Sequence, residues 1–190
     1  HLACGSLVAS LRNPETDFVA NAVNTFRSLE AFRKYQKGKA FVFCSTGSVY
    51  GEPEKRDYTE EEPMKPSTPY GTSKACGDLY AQLYHSFFGL PIKIVRYNNI
   101  YGPRKYGTAI PVFIRKALNQ ETITIEGGKQ VRTPTFVLDA VEATMLASLR
   151  EEATGEPVNI SSLESYTIEE MVEIIWTQIN GPGATPMVEF

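Results

Sequence analysis

PYGTSKACGDLYAQLYHSFFGLPIKIVRYNN, residues 69–99, is the most informative part of the chain for predicting its fold. It predicts a helix over 70–88, with Pro69 in the first turn, where proline is tolerated. The strand predicted over 91–99 follows directly. Upstream, KAFVFCS (39–45) is a continuous apolar run, as expected for a strand buried on both faces. Strand, helix and strand in succession indicate a βαβ unit of a parallel sheet.

The rest of the chain continues this alternation of helices and strands. Five apolar residues at helical spacing predict a helix over 18–35: Val19, Val23, Phe26, Leu29 and Phe32. Further elements are predicted as helices 110–119, 140–151 and 167–179, strands 121–127 and 156–162, and an extended segment 133–139. Thr167 and Glu170 have the spacing of a capping box. The polar stretches 46–68 and 100–109 are predicted to be loops. The pattern therefore predicts an α/β fold whose ligands bind beyond the carboxyl ends of the strands.

Composition is that of an ordinary globular chain, with 190 residues, 42% of them hydrophobic, and a formal net charge of −3. This length suits one domain or most of one. No apolar stretch approaches the roughly 20 residues that span a bilayer. The slight acidity gives no reason to expect binding to nucleic acid or to a membrane. The start does not resemble a signal peptide. Because the chain begins at His1, we expect it to be a segment of a longer protein.

The cysteines Cys4, Cys44 and Cys76 are odd in number and lack the spacing of metal ligands. We expect them to be reduced residues of a cytoplasmic protein. The two histidines, His1 and His85, cannot form a metal cluster by themselves. No metal site is predicted.

Tyr70 and Lys74 form the first candidate site. Tyr-x-x-x-Lys occurs three times, but Tyr35/Lys39 spans Gly38 and Tyr101/Lys105 encloses Gly102 and Pro103. Only Tyr70/Lys74 opens a predicted helix, where i, i+4 side chains share a face. Leu79, Leu83 and Phe87 are predicted to continue that face. A phenol beside an ammonium can act as an acid and base, because the positive charge favours the phenolate. The structural alternative is a surface tyrosine packed on a lysine stem.

Thr46 is the second candidate and lies in STGSVYG (45–51), at the carboxyl end of the first predicted strand. Its hydroxyl can donate one hydrogen bond and accept others, so it could share a substrate hydroxyl with Tyr70. Gly47 is expected to allow a tight or unusual turn. The alternative is a Ser/Thr turn in which the hydroxyl bonds its own backbone.

STGSVYG, PYGTSK and then RYNNIYGPR (96–104) closely resemble, in this order, motifs of the extended short-chain dehydrogenase/reductase superfamily. The likeness is to its NAD-dependent sugar-nucleotide epimerase/dehydratase family and covers nearly the whole chain. It includes NAVNT (21–25), ITIEGG (123–128) and RTPTFVLDAVEA (132–143). The resemblance implies a Rossmann-like, doubly wound parallel sheet without its first strands, and a small α/β substrate-binding portion. We expect a partial NAD-binding domain over 1–103 and a mixed substrate-binding portion with returning Rossmann elements over 104–190.

The resemblance also implies roles for individual residues. Tyr70 matches the catalytic acid/base, Lys74 the residue that lowers its pKa and holds the nicotinamide ribose, and Thr46 the hydroxyl that bonds the reacting sugar oxygen. Contacts to the NAD cofactor are further implied for Ser45, Asn98 and Asn21. Substrate contacts are implied for Asn99, Thr108, Ala109, Thr124, Glu126 and Arg132. Arg132 matches an arginine that pairs with the substrate diphosphate, and its alternative is a solvated surface cation.

Several features depart from the family pattern. The glycine-rich phosphate loop and the acidic residue that binds the adenosine ribose are absent, Asn24 replaces a glycine, and Thr133 replaces an aspartate. The dehydratases carry two carboxylates after the threonine, whereas here Gly47 and Ser48 follow Thr46. This favours epimerisation of a nucleotide-diphosphate sugar, with a UDP-sugar 4-epimerase as the expected activity. A dehydratase or reductase of the same family, and a non-catalytic sensor, stay open. The resemblance also implies a homodimer through helices 18–35 and 70–88.

Overall fold

The structure is a computed structural model that describes residues 1–2, 5–35, 39–51 and 59–190. These residues form two compact units. The first comprises His1–Asn98 with Ala140–Ile160, and the second comprises Asn99–Asp139 with Ser161–Phe190. The predicted division at residue 103 concerns the domains of the whole protein and stays a prediction.

The first unit is built on a parallel sheet of three strands, β1 (Phe41–Thr46), β2 (Ile92–Tyr97) and β7 (Pro157–Ile160), in the order β1-β2-β7. Ser45 pairs with Arg96 and Thr46 with Tyr97, so both motifs end at the same edge. Apolar side chains on these strands are buried, with Phe43 at 0% and Ile94 at 1% exposure. The predicted α/β fold with a parallel sheet is confirmed. β1 runs through Thr46, one residue beyond the predicted end.

The helices of the first unit include two that the sequence did not predict. They are α1 (Leu7–Arg12), α2 (Pro14–Phe18), a π-helical turn (Val19–Val23), α3 (Asn24–Tyr35) and α4 (Pro69–Phe88). The helix predicted over 18–35 is present, with its first turn in the π-helical form at Val19–Val23, whereas α1 and α2 are additional. Short 3₁₀ turns follow β1 at Gly47–Tyr50 and precede β7 at Glu151–Ala153. In the predicted loop 46–68, residues 52–58 lie outside the described residues, as does Cys4.

Helix α4 begins and ends at clear signals. Thr68 caps it by accepting a hydrogen bond from Gly71 N, and Gly89 ends it with a φ of 65°. The prediction that Leu79, Leu83 and Phe87 share the face of Lys74 is wrong. Those three residues are exposed, whereas Lys74 is buried. Five residues separate Lys74 from Leu79, which places them about 140° apart around the helix.

The second unit combines helices with short strand pairs. Its strands are β3 (Ile100–Tyr101), β4 (Ile123–Thr124), β5 (Val131–Arg132), β6 (Thr135–Phe136), β8 (Tyr166–Thr167) and β9 (Val188–Glu189). β3–β6 and β4–β9 are parallel pairs, and β5–β8 is antiparallel. The helices are α5 (Ala109–Leu118), the start of α6 (Val137–Leu149) and α7 (Ile168–Asn180). Apolar residues of α5, α7 and the segment at β4 form its core: Phe113, Ala117, Ile123, Ile125, Val172 and Trp176.

The capping box of Thr167 and Glu170 is confirmed. The strand predicted over 121–127 is wrong in length, because only Ile123–Thr124 is paired. The extended segment predicted over 133–139 gives way to α6 at Val137. Within the described ranges, no helix is both long and apolar enough to cross a membrane.

Candidate active site

Thr46 is the last residue of β1 and is 9% exposed. Its Oγ1 accepts a hydrogen bond from Ser48 N at 3.2 Å and donates one to Ser48 Oγ at 3.3 Å. The first of these bonds caps the 3₁₀ turn, so the Ser/Thr-turn alternative describes part of what Thr46 does. The second is long for a bond between hydroxyls. Thr46 can therefore turn its proton toward a ligand oxygen at little cost.

Gly47 leaves room for the neighbouring Asn98 side chain, which a larger residue would crowd. Gly47 opens the tight 3₁₀ turn Gly47–Tyr50, as expected, and its φ does not lie in the left-handed region. A Cβ atom at this position would lie 2.0 Å from Asn98 Oδ1. The glycine thus lets the Asn98 side chain, from the loop after β2, lie directly against the turn after β1.

Tyr70 and Lys74 lie in the first turns of α4, which packs against β1 and the turn that follows it. Tyr70 is half-buried, whereas Lys74 is only 2% exposed. Lys74 Nζ donates to Cys44 O and lies 4.5 Å from the centre of the Phe43 ring. Gly71 packs so closely that a Cβ there would be 2.6 Å from Ser48 O. The buried amine excludes the alternative in which Lys74 is a surface side chain.

Two other tyrosines near this edge are unsuited to act as bases. Burial raises the pKa of Tyr50, although a hydrogen bond from Arg96 opposes the shift. Burial also raises the pKa of Tyr97, and its hydrogen bond with the Cys44 thiol adds to the effect. Both therefore stay neutral phenols at physiological pH.

Ser45 and Asn98 are placed where they could hold a cofactor. Ser45 is 3% exposed, and its Oγ has no hydrogen-bond partner among the described residues. A buried hydroxyl without a partner is unusual and suits a ligand that supplies one. Asn98 N donates to Ile160 O at 3.1 Å, which fixes its backbone at the end of β7. Over the same described ranges, no three His, Cys, Asp or Glu side chains are grouped as a metal site.

Asn21 lies in a buried polar cluster that we name the Asp17 cluster, formed by Asp17, Asn21 and Ser73. Asn21 Nδ2 donates to Asp17 Oδ1 and to Ser73 Oγ, both at 2.9 Å, and Asn21 Oδ1 accepts from Gly5 N. Both amide hydrogens of Asn21 are thus used within the protein. Sequence reasoning missed Asp17 and Ser73, although the i, i+4 spacing of Asp17 and Asn21 was a usable signal.

A second buried network joins α4 to β2. Arg96 forms a bidentate ion pair with Asp78, at 2.9 Å and 3.0 Å, and donates to Tyr50 OH at 2.6 Å. Tyr50 OH donates in turn to Asn159 Oδ1 on β7. These bonds link α4, the turn after β1 and the strands β2 and β7 at the carboxyl edge of the sheet.

The predicted substrate-binding residues other than Thr46 belong to the second unit. Asn99 is exposed and has a φ of 41°, and Arg132 on β5 is half-buried, with Nη1 donating to Val131 O at 2.9 Å. Arg132 is therefore not a fully solvated cation. The other four are exposed at the start of α5 or near β4: Thr108, Ala109, Thr124 and Glu126. Their substrate contacts stay predictions.

Known proteins resemble this chain in sequence. The family model described as "NAD dependent epimerase/dehydratase family" matches residues 1–161. A putative UDP-glucose 4-epimerase of Methanocaldococcus jannaschii is 35% identical over 92% of the chain. A dTDP-glucose 4,6-dehydratase of Xanthomonas campestris is 36% identical over 87% of it. The chain spans 58% of the first relative and 50% of the second.

A solved structure extends the comparison to three dimensions. The UDP-glucuronic acid 4-epimerase of Bacillus cereus, in complex with UDP-glucuronic acid and NAD, superposes with a TM-score of 0.90. It is 30% identical, and the match covers 100% of this chain and 60% of that one. This agreement confirms the predicted Rossmann-like fold. Since the family model matches most of the chain, and the motifs in STGSVYG and PYGTSK meet at one sheet edge, the chain belongs to the NAD-dependent epimerase/dehydratase family.

Proposed function

We propose that the protein to which this chain belongs epimerises a nucleotide-diphosphate sugar at C4, using NAD. The observation that carries the proposal is the placement of Lys74. This residue is buried, its ammonium donates to Cys44 O on β1, and it lies one helical turn after Tyr70. Ser45 and Thr46 are the next residues along β1. A hydroxyl, a phenol and an ammonium at one sheet edge suit the removal of a proton from a sugar alcohol.

The residues at this edge fit the nicotinamide end of NAD. Ser45 Oγ is a buried hydroxyl with no bond to any described residue, and Asn98 presents its amide against Gly47. We assign Lys74, Ser45 and Asn98 to holding the cofactor, with Tyr70 beside them. Asn21, whose amide hydrogens both bond within the protein, supports this region indirectly.

Each side chain then has one task. NAD, when bound beside Lys74, Ser45 and Asn98, would supply the acceptor for the C4 hydride and, after the keto sugar has presented its other face, the donor that returns it. Tyr70, as a phenolate, takes the proton of the C4 hydroxyl and gives it back at the end. The Lys74 ammonium favours the phenolate through its positive charge. Thr46 orients the reacting oxygen by turning its hydroxyl away from Ser48. Asn99, Thr108, Ala109, Thr124, Glu126 and Arg132 are proposed to bind the nucleotide diphosphate.

Epimerisation is favoured over dehydration by the turn after Thr46. Elimination of water needs an acid and a base beyond the tyrosine, and Gly47 and Ser48 supply no carboxylate. The similarity to the Xanthomonas dehydratase keeps dehydration as the second candidate. Mass spectrometry of the product separates the two, because an epimer keeps the mass of its substrate and a dehydrated sugar loses one water.

The test is Tyr70→Phe in the full-length protein. We expect turnover of UDP-sugars to fall about 10²–10⁴-fold, while the affinity for the nucleotide sugar is kept. Tyr35→Phe is the matched control, because Tyr35 is an exposed tyrosine that also precedes a lysine by four positions. Turnover that survives Tyr70→Phe, or that falls equally with Tyr35→Phe, overturns the proposed function.

We also propose a homodimer and a cytoplasmic location. Exposed apolar residues on α3 and α4, including Phe26, Leu83 and Phe87, support a dimer face. Cys44 and Cys76 are free thiols, which suits a reducing compartment. Cell fractionation with an antibody against the protein tests the location.

A further inference from the structure

Asp17 is a buried carboxylate that the proposed chemistry does not use. It is 4% exposed at the end of α2. Oδ2 accepts a hydrogen bond from Ser73 Oγ at 2.5 Å, and Oδ1 accepts one from Asn21 Nδ2 at 2.9 Å. Burying a carboxylate is costly unless hydrogen bonds compensate it, so a position of this kind calls for a reason.

Ser73 connects this carboxylate to the first turn of α4. It lies between Tyr70 and Lys74, and its Oγ is also 3.0 Å from Tyr70 O. A hydroxyl has one proton, and the shorter, charge-assisted bond to Asp17 is the stronger of the two. The Asp17 cluster is therefore hydrogen-bonded to the first turns of α4, which carry Tyr70 and Lys74.

The surroundings fix the cluster from two more directions. Ser10, which is 0% exposed, accepts a hydrogen bond from Tyr70 N at 3.2 Å. Gly5 lies so close that a Cβ there would be 2.7 Å from Asp17 Oδ1. Asn21 sits in the π-helical turn, a distortion that is found frequently at functional sites.

We infer that Asp17 is a positioning residue for Tyr70 and Lys74, acting through Ser73 on the first turn of α4. The inference rests on the proposed function for its catalytic consequence only. An asparagine at position 17 has one oxygen in place of two, so it can accept from only one of Ser73 Oγ and Asn21 Nδ2, and without the negative charge. If its N–H faces Ser73, the Ser73 hydroxyl must turn its proton to Tyr70 O, and the bond from Ser73 to residue 17 is lost. The turn would then lose its anchor while the size of the side chain stays the same.

Hydrogen exchange of the full-length, NAD-bound protein tests the anchor directly. Asp17→Asn is compared with Glu15→Gln, which makes the same carboxylate-to-amide change on an exposed residue of the same helix. We expect the amides of residues 70–74 to exchange about tenfold faster in Asp17→Asn, as for the loss of a buried hydrogen bond. Unchanged exchange there, or an equal rise across β1 and β2, overturns the inference.

Kinetics give a second measurement. We expect kcat of Asp17→Asn to fall about 100-fold with little change in KM, because a displacement of about 1 Å at the reacting groups costs that much. A change in KM without a change in kcat contradicts the inference.

If Asp17→Asn does not fold, Ser73→Ala removes the same bond. Ser86→Ala, at an exposed position of the same helix, is its control. Equal exchange in those two variants also contradicts it. Because exchange needs no turnover, its result stands even if Tyr70→Phe disproves the proposed function.

Discussion

Gly47 lies so close to Asn98 that any side chain at this position would collide with it. The Cβ of an alanine would be 2.0 Å from Asn98 Oδ1, far inside contact distance. We expect Gly47→Ala to lower the free energy of unfolding of the full-length protein by about 1–3 kcal/mol, as in other overpacked sites. Denaturant unfolding measures this loss.

A second substitution identifies the cause of that loss. Asn98→Ala removes the oxygen that the new Cβ would meet, so Gly47→Ala should cost less in the Asn98→Ala background. An equal cost in both backgrounds would place the strain in the backbone of the 3₁₀ turn instead.

The candidate site could be predicted from the sequence where its residues stand in short motifs. Thr46, Tyr70 and Lys74 each lie within six residues of a strand or helix end that the apolar pattern marks. The role of Asp17 could not be predicted in this way. Its partner Ser73 is 56 positions away, and their meeting depends on how α2 and the π-helical turn dock on α4.

At the scale of elements, α4 was predictable and the segment 7–23 was not. Pro69 and Gly89 mark the ends of α4. The 20 residues from Pro69 to Phe88 are more than a strand usually has, so the sequence favours a helix between these two signals. The π-helical turn has no such signal, because Val19 and Val23 have the i, i+4 spacing of an ordinary α-helix. The face of α4 was misjudged because a step of five residues was treated as a step of four.

Helices α3 and α4 are tied together by Glu30, which makes the stability of this pair depend on pH. Hydrogen bonds from Arg33 and from Tyr84 OH, both at 2.7 Å, lower the pKa of Glu30 to about 2. A lowered pKa in the folded state stabilises the protein above the unfolded value of 4.5, and this contribution is lost as pH falls toward 2.

The variant Glu30→Gln removes that dependence. We expect the difference in unfolding free energy between the native protein and Glu30→Gln to shrink as pH falls from 4.5 to about 2. Glu173→Gln makes the same change at an exposed position of α7 and is the control. A difference that stays constant over this range would contradict the lowered pKa of Glu30.

For the molecule as a whole, the sequence was sufficient for the parallel sheet and insufficient for the second unit. β1 and β2 are strands of six residues each in which four and five residues, respectively, are buried. The strands of the second unit pair over two residues each, too few for any period to emerge. Such pairs are fixed by tertiary packing, which the sequence pattern does not encode.

The exposed apolar residues of α3 and α4 lead to a prediction about assembly. Leu79 and Phe87 are 57% and 75% exposed, and Leu83 lies between them on the same helix face at 48%. Contiguous apolar surface of this kind marks an interaction site, and we expect a second copy of the chain to cover it.

Leu83→Glu in the full-length protein should weaken the proposed dimer at least about tenfold, since it buries a charge at an apolar contact. Leu163→Glu is the control, because that leucine is fully exposed in the second unit. Sedimentation velocity across a range of concentrations measures both variants. A Leu83→Glu dimer as tight as the native one, or equal weakening by Leu163→Glu, would place the contact between copies on another surface.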